Sequence, residues 1–143
     1  NMPKNRNIKT HFFKSKTSNM AGFGQGIPGV KSKRYDIVYS LGVIDYFLDN
    51  TFKNFMHSCY KLLNPGGKFI VASCSSRTPQ IYLLLTWFCD WCFYIRDADK
   101  TKESLKAELG IDSIRIEWER YQNIFFILIS KPRDTNSLNK LTD

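Results

Sequence analysis

Two apolar strands joined by a helix constrain the fold of this chain more than any other feature. The first strand contains Ile37-Val38-Tyr39, which is apolar on both faces, as is typical of a central strand in a parallel sheet. A helical pattern follows, and Asp49 or Asn50 can cap its start. Apolar residues fall on one face of this helix at spacings of three and four: Phe52, Phe55, Met56, Cys59, Leu62 and Leu63. Asn64-Pro65-Gly66-Gly67 then ends the helix.

A second buried strand, Phe69–Cys74, follows this turn. A helix between two such strands forms a right-handed crossover, which makes the strands parallel and the fold class α/β. Downstream, the apolar residues 81–95 predict a helix or two short helices over the ligand edge of the sheet. A polar helix then ends at Leu109, with Gly110 as its stop. Two strands, 114–118 and 124–129, complete the predicted domain.

The charge of the chain is concentrated at one end. The 143 residues suit a single domain, and their net charge is +8. Residues 1–34 carry eight Lys or Arg and no acid, whereas residues 35–143 carry thirteen of each sign. We therefore divide the chain into a basic, mostly irregular leader (1–34), an α/β domain (35–132) and a flexible tail (133–143). A solvated arm is the favoured interpretation of the leader, and an arm that binds nucleic acid or an anionic surface is the alternative.

Two motifs have residue spacings typical of a cofactor or metal site but lack the structural context that such a site needs. The glycines at 22, 24 and 26 have neither a strand before them nor a helix after them, so we predict a flexible loop there and no cofactor role. Cys89-Asp90-Trp91-Cys92 is a single CxxC without a second pair of ligands, and we interpret both cysteines as small buried residues. A metal or redox site at this pair is the weaker alternative.

Nothing in the composition indicates secretion or a membrane span. The leader lacks the apolar core of a signal peptide, and the apolar residues 81–95 are too few to cross a bilayer and are interrupted by Asp90. The four cysteines give no disulfide framework. These features favour a cytoplasmic, reducing setting.

The loop after the first strand, 40–46, is the most informative candidate for a site. Gly42 lets a ligand approach the backbone. Asp45 can accept hydrogen bonds from an amino-bearing ligand, or it can simply cap the turn. Tyr46 can offer its ring face to a sulfonium cation, or it can pack in the core.

A second candidate region follows the apolar helix. Its aromatic residues form either plain core or a lid and acyl-binding wall: Trp87, Phe88, Trp91, Phe93 and Tyr94. Arg96 can hold a substrate carboxylate through two hydrogen bonds, or it can pair with Asp90 or Asp97.

These residues resemble a known family. Tyr35–Ser40 resembles the fourth strand of class I S-adenosylmethionine-dependent methyltransferases, and Leu62–Phe69 resembles their junction between a helix and the fifth strand. The final two strands resemble their sixth and antiparallel seventh strands. Val38–Tyr46 together with Asp90–Arg96 is similar to a bacterial subgroup linked to methyl esters of 3-hydroxy fatty acids, the "extracellular factor" signals. The resemblance covers about residues 35–132.

The resemblance implies the C-terminal half of a Rossmann-like, doubly wound sheet and a methyl transfer from S-adenosylmethionine. The acceptor would be the carboxylate of a small molecule or fatty acid. Residues beside the cofactor would be Ser40, Leu41, Gly42, Asp45 and Tyr46, with Tyr46 also catalytic. Trp91 and Arg96 would lie on the substrate side.

The first half of such an enzyme has no counterpart in the chain: strands one to three, the glycine loop and the acidic residue that binds the ribose. We therefore expect a chain that is incomplete and inactive alone. Its first strand would be an open sheet edge, so we expect association with the missing half or with a second copy.

Overall fold

The structure is a computed structural model that describes residues 34–133. The predictions for the leader before Arg34, including the glycine loop at 22–26, and for the tail beyond Arg133 lie outside these residues. The described part is built in the order β1 (Tyr35–Leu41), a 3₁₀ turn (Ile44–Tyr46), α1 (Asp49–Lys61), β2 (Leu63–Cys74), α2 (Pro79–Cys89), α3 (Ala98–Leu109), β3 (Ile114–Trp118) and β4 (Ile124–Ser130).

The four strands form one sheet in the order β1-β2-β4-β3. β1 and β2 are parallel, with Val38 opposite Phe69 and Ser40 opposite Val71, which confirms the predicted crossover. β4 runs antiparallel to β2, and β3 runs antiparallel to β4. The result is a mixed α/β sheet whose parallel pair lies at one edge.

The predicted Pro-Gly-Gly turn lies inside β2. Between the pairs Tyr35–Leu63 and Ile37–Lys68, β1 advances by two residues while β2 advances by five. Gly66 takes a φ of +79°, and a Cβ on Gly67 would lie 2.9 Å from the carbonyl oxygen of Tyr35. Glycine is therefore required for the bulge, and the strand begins at Leu63, earlier than the pattern predicted.

The ends of α1 differ from the prediction. Leu48 occupies the N-cap position without a side-chain hydrogen bond, and Asp49 lies in the first turn, where its charge complements the helix dipole. The helix stops at Lys61, so Leu62 is its C-cap and Leu63 belongs to β2. The predicted apolar face is nevertheless correct for four residues that are buried: Phe52, Phe55, Met56 and Cys59.

One face of the sheet carries the core. α1 and α3 contribute to it, with Phe55 packed against Phe69 at a ring distance of 6.3 Å and Leu105 fully buried. The strand residues on this face are also buried: Val71, Ile114, Phe125, Ile127 and Ile129. On the opposite face of β1, Ile37, Tyr39 and Leu41 are exposed.

The apolar segment after β2 is a helix followed by irregular backbone. α2 ends at Cys89, and Asp90 takes a left-handed conformation with a φ of +50°. The backbone of Arg96 then forms a bridge beside Ser75. Among the described residues, no helix has the length and apolar character needed to cross a membrane.

The last helix and hairpin lie where the sequence pattern predicted them. Asp97 caps α3 by accepting a hydrogen bond from the backbone N–H of Lys100 at 2.9 Å. Gly110 ends the helix with a φ of +62°. Gln122 turns the β3–β4 hairpin with a φ of +59°. These observations confirm the elements predicted after residue 97.

Candidate functional site

The carboxyl ends of β1 and β2 form the candidate site. In open α/β sheets, ligands bind beyond this end of the parallel strands. Ser40 and Leu41 pair with Val71 and Ala72 at the end of β1, and Gly42 follows with a φ of +73°. A Cβ added to Gly42 would have no atom within 4 Å. The backbone here is open to the approach of a small molecule.

Asp45 is turned into the protein. Its side chain is 2% exposed, and its Oδ1 accepts hydrogen bonds from the Ser73 hydroxyl at 2.7 Å and from the backbone N–H of Cys74 at 3.0 Å. These contacts tie the 3₁₀ turn to the end of β2. They are the contacts of a structural residue, so a role of Asp45 in cofactor binding stays a prediction.

Tyr46 faces outward and belongs to an aromatic cluster. Its side chain is 47% exposed, and its hydroxyl accepts a hydrogen bond from Nε1 of Trp91 at 2.5 Å. Phe93 packs against both, with its ring 5.6 Å from the Tyr46 ring and 5.0 Å from the Trp91 ring. Tyr82 of α2 completes the cluster at 5.9 Å from Phe93. The structure therefore brings together Tyr46 and Trp91, which the sequence assigned to opposite sides of the reaction.

Arg96 is buried, and its side chain contacts the backbone of the loop after β1. Its side chain donates hydrogen bonds to the carbonyl oxygens of Ile44 (3.2 Å), Tyr94 (3.0 Å) and Phe47 (2.6 Å). Its ion-pair partner among the described residues is Asp49, at 3.7 Å, rather than the predicted Asp90 or Asp97. Burial lowers the pKa of Arg96, while Asp49 and Asp45 act in the opposite direction.

These contacts give Arg96 a structural task. A guanidinium has its donors in a rigid planar fork, which here holds both ends of the 3₁₀ turn and the segment before α3. The ring of Phe52 lies 4.5 Å from the guanidinium carbon and adds a cation–π contact. Recognition of a substrate carboxylate by Arg96 stays a prediction.

Sequence reasoning missed Ser73 as part of this region. Ser73 is a buried polar residue at the carboxyl end of an apolar strand, and this position was the available signal. Phe93 was named within the aromatic segment, but its central place in the cluster could not be predicted, because it depends on contacts with Tyr46 and Tyr82 from other segments.

The interpretation of the CxxC pair as buried residues is wrong. Cys89 and Cys92 are exposed, because α2 ends at Cys89 and the following backbone is irregular. The four cysteines are free, and burial raises the pKa of Cys59 to about 12. Residues 34–133 contain no group of three or more side chains arranged to hold a metal ion. A redox role for Cys89 and Cys92 stays an untested alternative.

The aromatic segment is also more exposed than a plain core. Trp87 and Phe88 are 82% and 80% exposed, so the core interpretation is wrong for these two residues. The alternative, in which the aromatic residues form a lid or an acyl-binding wall, stays a prediction.

Comparison with solved structures identifies the fold. No protein-family model matches the chain. No curated protein matches it either. An O-methyltransferase family protein from Burkholderia thailandensis matches with a TM-score of 0.60 and 10% identity over 86% of this chain. A putative O-methyltransferase from Nostoc punctiforme matches with a TM-score of 0.56 and 14% identity over 71%. Human N-acetylserotonin methyltransferase, in complex with SAM, matches with a TM-score of 0.52 and 15% identity over 69%.

The matches cover only part of each solved chain: 36%, 33% and 30%, respectively. The chain thus spans about a third of the length of these relatives. At such low sequence identity, the structural similarity establishes the fold but does not establish the subgroup. The described residues have the fold of the C-terminal part of S-adenosylmethionine-dependent methyltransferases, with their mixed parallel and antiparallel strands.

Proposed function

We propose that this chain forms part of an S-adenosylmethionine-dependent methyltransferase that makes methyl esters of a small carboxylic acid, such as a fatty acid. The observation that carries the proposal is the open loop after β1. It places Gly42 and the outward-facing Tyr46 beyond the carboxyl ends of a parallel strand pair, in a fold shared with methyltransferases. The bacterial fatty-acid subgroup is part of the proposal, because Val38–Tyr46 and Asp90–Arg96 resemble it.

The residues of the loop differ in how accessible they are to the cofactor. Leu41, Gly42 and Tyr46 are exposed and can contact it, and Ser40 is half-buried beside them. Tyr46 fits best, since its phenol is held by Trp91 while nearly half of its side chain is open to solvent. Asp45 fits least well, because Ser73 and Cys74 already occupy its Oδ1.

S-adenosylmethionine, when bound, supplies a methyl group on a positively charged sulfur. The ring face of Tyr46 would attract this charge, and the hydrogen bond from Trp91 would keep the ring in position. A carboxylate acceptor is already ionised at neutral pH, so the chain needs no general base. The task of Tyr46 and Trp91 is then to orient the acceptor and exclude water.

The remaining part of the fold would join at β1. Ile37, Tyr39 and Leu41 present exposed apolar side chains along this edge strand. Open, apolar strands of this kind pair with further strands, since their backbone groups lack partners on one side. We propose that a cofactor-binding half, or a second copy, associates here and that the chain alone is inactive.

The test is calorimetric titration of the native assembly with S-adenosylmethionine, combined with transfer of labelled methyl groups to a series of fatty acids. The mass of the native protein first shows whether the 16.7-kDa chain has a partner. We expect saturable binding and labelled esters. Tyr46→Ala should weaken cofactor binding by about tenfold, because a desolvated cation–π contact contributes on the order of 1–2 kcal/mol.

Tyr121→Ala is the matched control, since Tyr121 is also an exposed tyrosine but lies in the β3–β4 hairpin. It should leave both readouts unchanged. A native assembly that gives neither heat nor labelled ester contradicts methyl transfer. Equal losses with Tyr46→Ala and Tyr121→Ala contradict the assignment of the site to this loop.

A further inference from the structure

We infer that α2 is a peripheral membrane-binding element that docks on anionic lipid surfaces. This inference is independent of the proposed methyl transfer. It rests on an exposed apolar stripe along α2, on the absence of charge within this helix and on basic residues at one end of the stripe.

The stripe consists of four side chains that the helix places side by side: Leu83, Leu84, Trp87 and Phe88. Positions i, i+1, i+4 and i+5 cover an arc of about 140° on a helix of 3.6 residues per turn. All four are more than half exposed. Tyr82 lies on the inner side and fastens the helix to the protein through a hydrogen bond from its hydroxyl to the Asn123 carbonyl, at 2.6 Å.

The helix carries no charged residue between Arg77 and Asp90. A bare apolar stripe with Trp and Phe suits the boundary between lipid headgroups and acyl chains, where aromatic side chains are enriched. α2 has 11 residues, and at about 1.5 Å per residue it is roughly half as long as a bilayer core is thick. The helix would therefore lie in the interface with its stripe facing the acyl chains.

Positive charge flanks the start of the stripe. Arg77 donates a hydrogen bond to Gln122 at 3.0 Å, which brings the β3–β4 hairpin next to α2. The hairpin adds the exposed Arg120, whose guanidinium lies 5.7 Å from the ring of the exposed Tyr121. The hairpin also has two acids: Glu117 pairs with Arg115, and Glu119 accepts hydrogen bonds from backbone N–H groups.

The rest of the chain adds to this charge. Residues 1–34 contain eight Lys or Arg and no acid. Basic residues near a bilayer strengthen binding to anionic lipids. This complementarity, together with the stripe, points to an anionic membrane rather than a neutral one.

A second copy of the chain is a poorer occupant of the stripe. Stable protein interfaces use roughly 20–30 residues on each side, whereas the stripe offers four. A lipid surface requires no such matched area, since each apolar side chain enters the acyl region separately.

The test is sedimentation of the full-length chain with vesicles of phosphatidylcholine, alone or mixed with phosphatidylserine. We expect binding to the mixed vesicles that weakens with salt, and quenching of tryptophan fluorescence by brominated acyl chains. The double variant Trp87→Ser/Phe88→Ser should lower the vesicle affinity about tenfold or more and remove most of the quenching. Trp87→Phe should retain binding.

Two control variants separate the contributions. Tyr39→Ser removes an exposed aromatic side chain from β1 and should leave binding unchanged. Arg120→Gln should weaken binding to the anionic vesicles by a smaller factor of about threefold to fivefold. Circular dichroism of each variant verifies that the fold is retained.

Three results would overturn the inference. The first is a folded wild-type chain that binds neither kind of vesicle. The second is a double variant that binds vesicles as tightly as the wild type, which would mean that the basic leader alone is responsible for binding. The third is a dimer that the double variant dissociates, without any vesicle binding by the wild type.

Discussion

Apolar residues of the sheet lie in different environments on its two faces. On the face covered by α1 and α3, Phe69, Val71 and Ile127 are fully buried. On the other face of the same sheet, Ile37 and Tyr39 are 61% and 71% exposed. Neighbouring residues of β1 alternate between these faces, since successive side chains of a strand point in opposite directions.

The difference shows that apolar patterning specifies a strand without specifying its partner. β1 is apolar on both faces, which is the pattern of a strand buried on both sides. Within residues 34–133, helices cover one of these sides. The covered face forms the core of the described domain, and the open face is where we propose that a partner binds.

The largest expected effect tests the covered face. Phe69→Ala should lower the free energy of unfolding by about 3–5 kcal/mol, because it leaves a cavity against Phe55 in a packed core. Tyr39→Ser, one strand away on the open face, should change it by about 0.5 kcal/mol or less. Urea unfolding of the full chain, followed by circular dichroism, measures both.

This pair of variants also tests whether the open face is open in the whole protein. A loss of about 2 kcal/mol or more on Tyr39→Ser would mean that a partner buries Tyr39 in solution. A small loss on Phe69→Ala would contradict the assignment of the core to the covered face.

A smaller effect is expected for the polar anchor of the loop. Arg96→Met keeps much of the side-chain volume but leaves the carbonyl oxygens of Phe47 and Tyr94 without their donor, while the Ile44 carbonyl keeps the backbone N–H of Phe47. Buried polar groups without partners cost about 1–3 kcal/mol, so we expect a loss of about 2 kcal/mol. Lys100→Met is the control on exposed α3 surface. If both variants unfold at the same urea concentration, Arg96 does not anchor the loop.

The regular elements could be predicted because their signals are local. The spacing of Phe52, Phe55 and Cys59 predicts the buried face of α1 within one stretch of sequence. Gly110 ends α3 as predicted, through a left-handed conformation that depends on local backbone chemistry. The parallel pairing of β1 and β2 follows from the helix between them.

The site could be predicted only in part, because its contacts cross the sequence. Asp45 bonds to Ser73, 28 residues away, and Arg96 bonds to carbonyl oxygens about 50 residues earlier. The sequence analysis named Asp45, Tyr46 and Arg96 as candidates. No local signal reveals that the side chains of Asp45 and Arg96 are buried. The exposure of Trp87 and Phe88 was missed for the same reason, since it depends on what packs against α2.

The smallest expected effect concerns Glu119 in the β3–β4 hairpin. Glu119 is partly exposed, and it accepts hydrogen bonds from the backbone N–H groups of Tyr121 at 2.8 Å and Asn123 at 2.6 Å. These bonds lower the pKa of Glu119 below its usual 4.5. A carboxyl with a lowered folded-state pKa stabilises the fold fully above pH 4.5, and the contribution is lost as the pH falls through the folded-state value.

Glu119→Gln removes the ionisation while keeping an acceptor oxygen. We expect the wild type to be slightly more stable than the variant at pH 7, with the difference shrinking between pH 5 and pH 3. Glu103→Gln, on the exposed surface of α3, is the control and should lack this trend. Because water screens a carboxylate at the protein surface, we expect a small effect; a difference that persists unchanged at pH 3 would show that the backbone bonds of Glu119 act through geometry rather than charge.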